Sequence, residues 1–464
     1  MKRKLWQLTT IIFLLLSIGV TGVVLAAPTQ PAQGANNGDL PAPAYTYDRV
    51  ITVASSSDDG GVNSRCEQVA ADQCTLRRAI NEVRYHQYDY KSYLIRFNIP
   101  TSDSGYDAAH QVWIIAVDSD NSGSNQFAFR DFGVYGHVII DGDTQPAGRS
   151  DGPRIILRGD NNKGAFTLTG GYNTIRGLAF QGFGDRVVSI PGTGDNLVEN
   201  NWFGLSVDGT EIYLRNPENP EAGSGETGVY IQSGAAATGN TLQNNALAGF
   251  DADALVIDGD TNYVFSNTIG TRADGSLPEI RSDRKCHPNA RYHNWFGGGG
   301  IQVYGETQQV AYNRVAGMLY QSADPWSTPE DAISVTGDNN VVYSNTIGVD
   351  ANGQRFGVCG EAIHVGGSNG IHSIRVYSNT IVGSRGQASI FVTAGQTGYD
   401  FDALYLTQNI IEESANEAFD FGETVPDVLA EYQPAAVSNI SGVNVSGTAG
   451  AGSPCGGCQI ELFL

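Results

Sequence analysis

The sequence predicts an all-β fold: a single-stranded right-handed parallel β-helix, a solenoid, with an N-terminal capping helix. Three observations predict it. Short blocks of alternating apolar residues separated by Gly, Asn and Asp recur from Ala165 to Ile411, one asparagine recurs at an equivalent position in seven of them, and a single amphipathic helical segment precedes them all.

The blocks read apolar-x-apolar, then glycine, then an asparagine followed by another apolar residue, as in "ALVIDGDTNYVFSNTIG" and "AISVTGDNNVVYSNTIG". Period-two alternation marks strands, and the Gly, Asn and Asp clusters mark turns. No apolar stripe at helical spacing runs through them, which excludes helices there. Alignment puts Asn201, Asn245, Asn267, Asn313, Asn345, Asn379 and Asn409 at one position, with spacings of 44, 22, 46, 32, 34 and 30. The shortest suits one solenoid turn of three short strands, and the excess in the others must leave the coil as loops. Stacked at a bend, each amide can bond the backbone of the next coil, so these asparagines are scaffold rather than catalysts. The right-handed sense follows from the handedness of parallel crossovers.

An open solenoid end exposes strand edges. The segment "CTLRRAINEV" places Leu76, Ala79, Ile80 and Val83 on one helical face and is the candidate cap.

The chain divides into residues 1–26, a signal peptide; 27–44, a flexible leader; 45–145, N-terminal strands and the capping segment; 146–435, the β-helix; and 436–464. Lys2, Arg3 and Lys4, an apolar run from Ile11 to Leu25 and the Val24-Leu25-Ala26 pattern make the start an export signal. A retained membrane anchor is the alternative, but the run is short for a span and no second one follows. The expected location is secreted, extracellular or on the cell surface.

The formal net charge is −22, and loss of the three signal cations makes the remainder more negative. Such a surface repels phosphate backbones and anionic lipids, so nucleic acid is excluded as a partner, as is a membrane after signal cleavage. Neutral glycans, or anionic ones bridged by a divalent cation, fit the sign, and a monomer is expected. Six cysteines in an exported chain imply disulfides. Proximity suggests Cys66 with Cys74, Cys286 with Cys359, and Cys455 with Cys458. Cys455-Gly-Gly-Cys458 could also be a redox motif, but nothing around it suggests a thioredoxin-type unit.

"CEQVAADQCTLRRAI", residues 66–80, resembles the N-terminal signature of the CSLREA-type β-helix proteins, exported bacterial proteins whose signature precedes a parallel β-helix related to the pectin-lyase-like fold. "NTIGTRADGS" at Asn267 and "NTIGVDANGQ" at Asn345 are similar to that family's repeats. Thr75 and Arg78 depart from the signature's Ser and Glu. The resemblance implies fold and export, and no catalytic motif. "VSGTAGAGSPCGGCQIELFL" resembles the opening strand of a β-sandwich module that follows such solenoids, so 436–464 reads as the truncated start of one, or else as a strand returning to the solenoid.

The long insertions, 205–226, 271–298, 318–330 and 349–360, each follow the asparagine strand and should form a wall along one edge. The strand beside it presents Tyr230, Val256, Gln302, Ser334, His364 and Phe391 outward, then Gln232, Asp258, Tyr304 and Thr336, a polar and aromatic floor suited to glycans. The loop "RSDRKCHPNARYHNWFGGGG" concentrates Arg284, Lys285, His287, Arg291 and His293 around Tyr292 and Trp295. Cations with stacked aromatics suit a carboxylated sugar; equally, the charges could pair with neighbouring acids. Candidate ligand-binding residues are Arg284, Lys285, Arg291, Tyr292, Trp295, Gln302, Tyr304, Tyr320, Trp326 and Tyr230.

Asp253, Asp331, Glu361 and Glu417 begin the floor strands, where they could bind a cation, raise one another's pKa, or simply accept turn N–H groups. With His364, His287 and His293, the pair Asp331 and Glu361 forms the candidate catalytic set. No metal site is expected and no cofactor is required; Ca²⁺ is the one ion considered, although the turn tips at Asp208, Asp274 and Asp350 are too short to be calcium loops alone. The leading expectation is a non-catalytic surface or matrix protein that binds a polysaccharide or cell-surface glycan. The alternative is a polysaccharide lyase or glycoside hydrolase in the same groove.

Overall fold

A computed structural model describes residues 47–59, 63–89, 92–118, 127–129, 137–160, 163–213, 227–234, 236–250, 252–277, 299–318, 331–367, 371–394, 401–402, 404–422, 436–441 and 444–448. The signal and leader, the cationic loop residues 278–298 (Arg284, Lys285, Cys286, His287, Arg291, Tyr292, His293 and Trp295 among them), Tyr320, Trp326, Cys455 and Cys458 lie outside them.

Three long sheets run along the molecule, of 11, 11 and nine strands, and from Val138–Asp141 onward each strand of these sheets pairs with its counterparts on neighbouring coils rather than with its sequence neighbour. We call them sheet A (from Arg49–Val53), sheet B (from Tyr106–Asp107) and sheet C (from Phe166–Thr167). Pairing is parallel throughout them, except where Tyr106–Asp107 runs against Val112–Trp113. One full coil passes through Leu197–Glu199 in sheet A, Trp202–Phe203 in B, Val229–Gln232 in C, and then Thr241–Gln243 back in A. This is the right-handed parallel β-helix that the sequence predicts. Residues 436–441 and 444–448 form a separate antiparallel pair.

Within the three long sheets the strands turn alternate side chains inward. Val198, Leu242, Val264, Val310, Val342 and Val376 stack in sheet A, all buried, and β-branched residues suit a surface packed from both sides. Near the N-terminal end the interior is aromatic, with Phe180 and Phe203 stacked at 4.8 Å and Phe129 on Phe166 at 5.0 Å. Burial of each such side chain contributes about 1.5–3 kcal/mol.

The bend from sheet A to B uses two residues. The first is held at positive φ, from Asn200 (55°) to Gln408 (57°), and the second is the repeated asparagine. From Asn201 to Asn379, the main-chain N–H and the side-chain Nδ2 both donate to Oδ1 of the next asparagine. At Asn267 the distances to Asn313 are 2.9 and 3.0 Å, while the other Nδ2 hydrogen reaches back to the Leu242 carbonyl at 2.9 Å. All seven amides are in this register, from Asn201 to Asn409.

A second ladder was not foreseen. Asn173, Asn196, Asn240, Asn262, Gln308 and Asn340 form a similar chain at the bend from sheet C into A: each main-chain N–H donates to the next side-chain oxygen, and the side-chain Nδ2 joins in as far as Asn262. Its trace in the sequence is an Asn five residues ahead of the first, at 196/201, 240/245, 262/267 and 340/345, with Gln308 breaking the pattern before Asn313.

Helix α1 (Leu76–Tyr85) caps the solenoid. Thr75 accepts the Arg78 N–H at 3.3 Å, so a threonine at this position supplies the N-cap chemistry that a serine would. Leu76, Ala79, Ile80 and Val83 are buried against the end of sheet A. The helix also buries charges: Arg77 grips Asp58 at 2.6 and 2.8 Å and donates to the carbonyls of Ala128 and Asp118. Glu82 is paired with Arg49. Cys66 and Cys74 form a disulfide just before the helix. Cys359 is also disulfide-bonded.

Candidate functional site

The described parts of the wall stack, but not coil on coil. Short turns at Ser206–Glu211, Arg272–Ser276 and Asp350–Gln354 belong to alternate coils, and each reaches over the coil between to the next: Ala273 N–H donates to Gly209 O at 3.0 Å, and Ala351 N–H to Gly275 O at 2.8 Å. Small residues on the intervening coils, Ala246, Ala248 and Ala316, pack beneath them beside Leu205 and Leu277. This alternation explains why the "ADGS" and "DANG" tips recur at every second asparagine. The tip acids accept hydrogen bonds from their own turns. Asp208 takes Ser206 and Thr210, Asp274 takes Ser276, and Asp350 takes Asn352 and Gln354.

Beside that edge lies sheet C. Its register places Tyr230, Val256, Gln302, Ser334, His364 and Phe391 in one row, one per coil. Adjacent strands lie about 4.8 Å apart, so the row forms a continuous floor along the axis. Arg186 lies over the Tyr230 ring at 4.1 Å, Gln232 bonds Ser189, and Tyr304 is 53% exposed beyond its strand.

At one end of the floor the acids and the histidine predicted from sequence converge. His364 Nδ1 lies 3.1 Å from Asp331 Oδ2, and Nε2 lies 2.8 Å from Thr393 Oγ1 on the next coil. Gly366 supplies the room: a Cβ there would crowd the Thr336 methyl and approach the His364 ring. The outward histidine is therefore held from both sides, and its ring tilts against Phe391 at 5.5 Å. Glu361 donates its main-chain N–H to Asp331 Oδ1 at 3.1 Å, while its own Oε1 accepts the Gln387 N–H at 3.0 Å. The side chain tucks against the next coil because residue 386 is glycine, where a Cβ would fall 2.6 Å from the Glu361 carboxyl carbon.

The predicted acid ladder is broken. Gly299 stands between Asp253 and Asp331, and Ala388 between Glu361 and Glu417, so only Asp331 and Glu361 meet on successive coils. Glycine at 299 still lets Asp253 approach, since a Cβ would sit 2.0 Å from Asp253 Oδ1. Burial, and then the Asp331 charge, push Asp253 up to about 6. Burial, the hydrogen bond to Asp331 and its charge push Glu361 up to about 7. For His364, burial opposes the charged form, but the bond to Asp331 and the charges of Asp331 and Glu361 outweigh it and raise the pKa. The cluster can thus hold protons near neutrality. Among the described residues no three His, Cys, Asp or Glu side chains converge to hold a metal ion.

Sequence reasoning missed Thr393, Gln387 and the glycines at 299, 366 and 386. Their partners follow only from coil register, and the "GGGG" run at 297–300 was the sole visible sign.

No family model and no curated protein matches the chain. Among solved structures it is similar to the A-module of the mannuronan C-5 epimerase AlgE6 of Azotobacter vinelandii, at 13% identity over 79% of this chain and 97% of that one, with a TM-score of 0.32. The catalytic domain of a GH87 α-1,3-glucanase in complex with nigerose is similar at 11% identity over 83% and 70%, TM-score 0.32. PfbA, a surface adhesin of Streptococcus pneumoniae, is similar at 13% identity over 80% and 93%, TM-score 0.30. At such identities and superpositions the site is read from its own residues. No helix among the described residues is long and apolar enough to cross a membrane.

Proposed function

We propose that this is an exported surface or matrix protein that binds a polysaccharide or cell-surface glycan along the floor of sheet C, without turning it over. The observation that carries the reading is the in-register row of Tyr230, Val256, Gln302, Ser334, His364 and Phe391, in which all but Val256 are polar or aromatic, lying beside the edge from which the long loops leave. Rings supply flat apolar faces to sugars, and amides and hydroxyls supply hydrogen bonds. The export signal and the CSLREA-like segment support secretion. Glu361 favours recognition over reaction, because it is only 8% exposed and its carboxyl is covered by the Gly386–Gln387 backbone.

A glycan array with the full chain, followed by a time course for new reducing ends and unsaturated uronates, tests the reading. Binding without products is expected. Gln302→Ala and Tyr304→Ala should each weaken it by about tenfold, roughly 1.4 kcal/mol. Absence of binding, or binding untouched by both changes, would overturn it.

One observation favours a second reading, a glycoside hydrolase: the raised Glu361 beside Asp331 and a histidine wired to both Asp331 and Thr393. An acid protonated near neutrality next to a carboxylate is the pairing that glycoside cleavage uses. Products that vanish in Glu361→Gln and Asp331→Asn, with binding retained, would establish it.

A further inference from the structure

A second patch lies on sheet A, a face other than the floor. There Val341, Arg375 and Tyr405 share one outward row, and Tyr343, Tyr377 and Thr407 the next. The Tyr343 and Tyr377 rings stack at 5.2 Å and 8°, and Tyr312 meets Tyr343 edge-on at 5.4 Å. One coil on, Tyr405 is 55% exposed. The turn residues entering these strands, Asn339 and Ser373, have φ of 59° and 53°, and with Arg375 and Tyr405 they line an open cleft of about 490 Å³.

Arg375 is exposed and forms no ion pair with any described residue. Some arginines of this acidic protein find carboxylates, as Arg49 has Glu82 and Arg176 has Asp141, and others are taken by main-chain carbonyls or side-chain amides, as Arg314 is by Val349 and Asp350 and Arg158 by Gln181. A guanidinium left without a carboxylate, beside a bare phenol ring, an amide and a hydroxyl, is complementary to one chemical class. A carboxylate and several hydroxyls on a ring with a flat apolar face match these groups.

We propose that this cleft binds a carboxylated sugar unit of an extracellular glycan. The Arg375 fork takes the carboxylate through two parallel hydrogen bonds. Asn339 and Ser373 take ring hydroxyls, and the sugar lies on the Tyr405 ring. The neighbouring units run over the Tyr377 and Tyr343 stack. This site is independent of the sheet C floor.

Titration calorimetry of the full chain with a hexuronate tetrasaccharide, and with the same tetrasaccharide carboxyl-reduced, tests the proposal. Arg375→Ala and Tyr405→Ala should each lower affinity for the acidic probe by about tenfold or more, Arg375→Lys should keep part of it, and added salt should weaken it. The reduced probe should bind wild type and Arg375→Ala alike. Arg375 is on the surface, so an unchanged melting temperature certifies each variant as folded. No binding of the acidic probe by wild type, or equal binding by wild type and Arg375→Ala, overturns the assignment. Loss of acidic-probe binding in Gln302→Ala and Tyr304→Ala, with Arg375→Ala unaffected, moves the site to the floor and overturns it as well.

Discussion

Asp331 and Glu361 occupy the same register position on successive coils, two residues ahead of the paired Ile333 and Ile363, and the Glu361 N–H donates to Asp331 Oδ1 at 3.1 Å. Burial disfavours an ionised carboxyl here, and the neighbouring Asp331 adds to the resistance. Glu361 is therefore raised from 4.5 to about 7 and Asp253 from 3.8 to about 6, whereas His364, which burial would lower, is raised by its bond to Asp331 and the charges of Asp331 and Glu361. A raised folded-state pKa gives stability that is complete below the unfolded value and lost as pH climbs through the folded one. For Glu361 the window is pH 4.5 to about 7. Glu361→Gln removes that proton linkage. Its melting temperature should equal or fall below wild type near pH 4 and exceed it by about 2 °C or more near pH 8. Parallel melting curves for the two proteins across that range would sink the assignment.

Gly299 controls how close Asp253 comes to that pair. A methyl there would fall 2.0 Å from Asp253 Oδ1, and a carboxyl at the end of a side chain can rotate away. Gly299→Ala should cost little stability, about 1 kcal/mol or less, while carrying Asp253 away from both its burial and the Asp331 charge. Carbon NMR titration of the Asp253 carboxyl should then show its midpoint falling from about 6 towards 3.8. An unmoved midpoint would mean that the glycine does not set the spacing.

The asparagine ladder offers a sharper test, because each amide serves three coils. Asn267 accepts from Asn245 N–H and Nδ2, and donates to Leu242 O and to Asn313 Oδ1. Asn267→Ala leaves two donors and a carbonyl without partners in the dry interior, at a cost of about 3–5 kcal/mol summed over the lost bonds. Asn267→Asp keeps the acceptor but loses the donor and buries a charge, so it should be worse than Ala at neutral pH and recover in acid. Denaturant unfolding reads both, and a cost under about 1 kcal/mol for Asn267→Ala would show that water replaces the ladder.

These results mark where sequence reasoning is strong. The repeated asparagine was legible because it obeys a local rule, one amide at each bend, whatever the coil length. The floor row was legible for the same reason, since Tyr230, Gln302 and His364 sit at a fixed offset from the strand starts. What escaped is what depends on register across unequal coils. Thr393 lies 29 residues from His364, and Gly299 lies 32 residues before Asp331, so no pattern of spacing ties either to its partner. Gln308 hid the second ladder by doing an asparagine's work with a longer side chain. The cap shows the same division. Its apolar face was plain at helical spacing, whereas the buried role of Arg77 depends on Asp58 and on two carbonyls brought by distant loops.

That buried pair yields the last prediction. Arg77 and Asp58 are 3% and 4% exposed at the side chain, joined at 2.6 Å, with the Arg77 guanidinium also 5.1 Å from the Phe129 ring. Even so, burial outweighs the arginine and leaves the Asp58 pKa raised, so desolvation remains incompletely offset. Arg77→Met removes the compensating charge while Asp58 stays buried, bonded to the Asp118 N–H, and should destabilise the cap by about 3–5 kcal/mol near neutral pH. Lowering the pH should recover part of this as Asp58 takes up a proton. Arg77→Met with Asp58→Asn removes both charges, and should cost less than either single change because no ion is left buried alone. A double-mutant cycle monitored by hydrogen exchange of helix α1 reads the coupling directly. Additive single and double effects would show that the two charges do not depend on each other, and that the helix is held by Leu76, Ala79, Ile80 and Val83 alone.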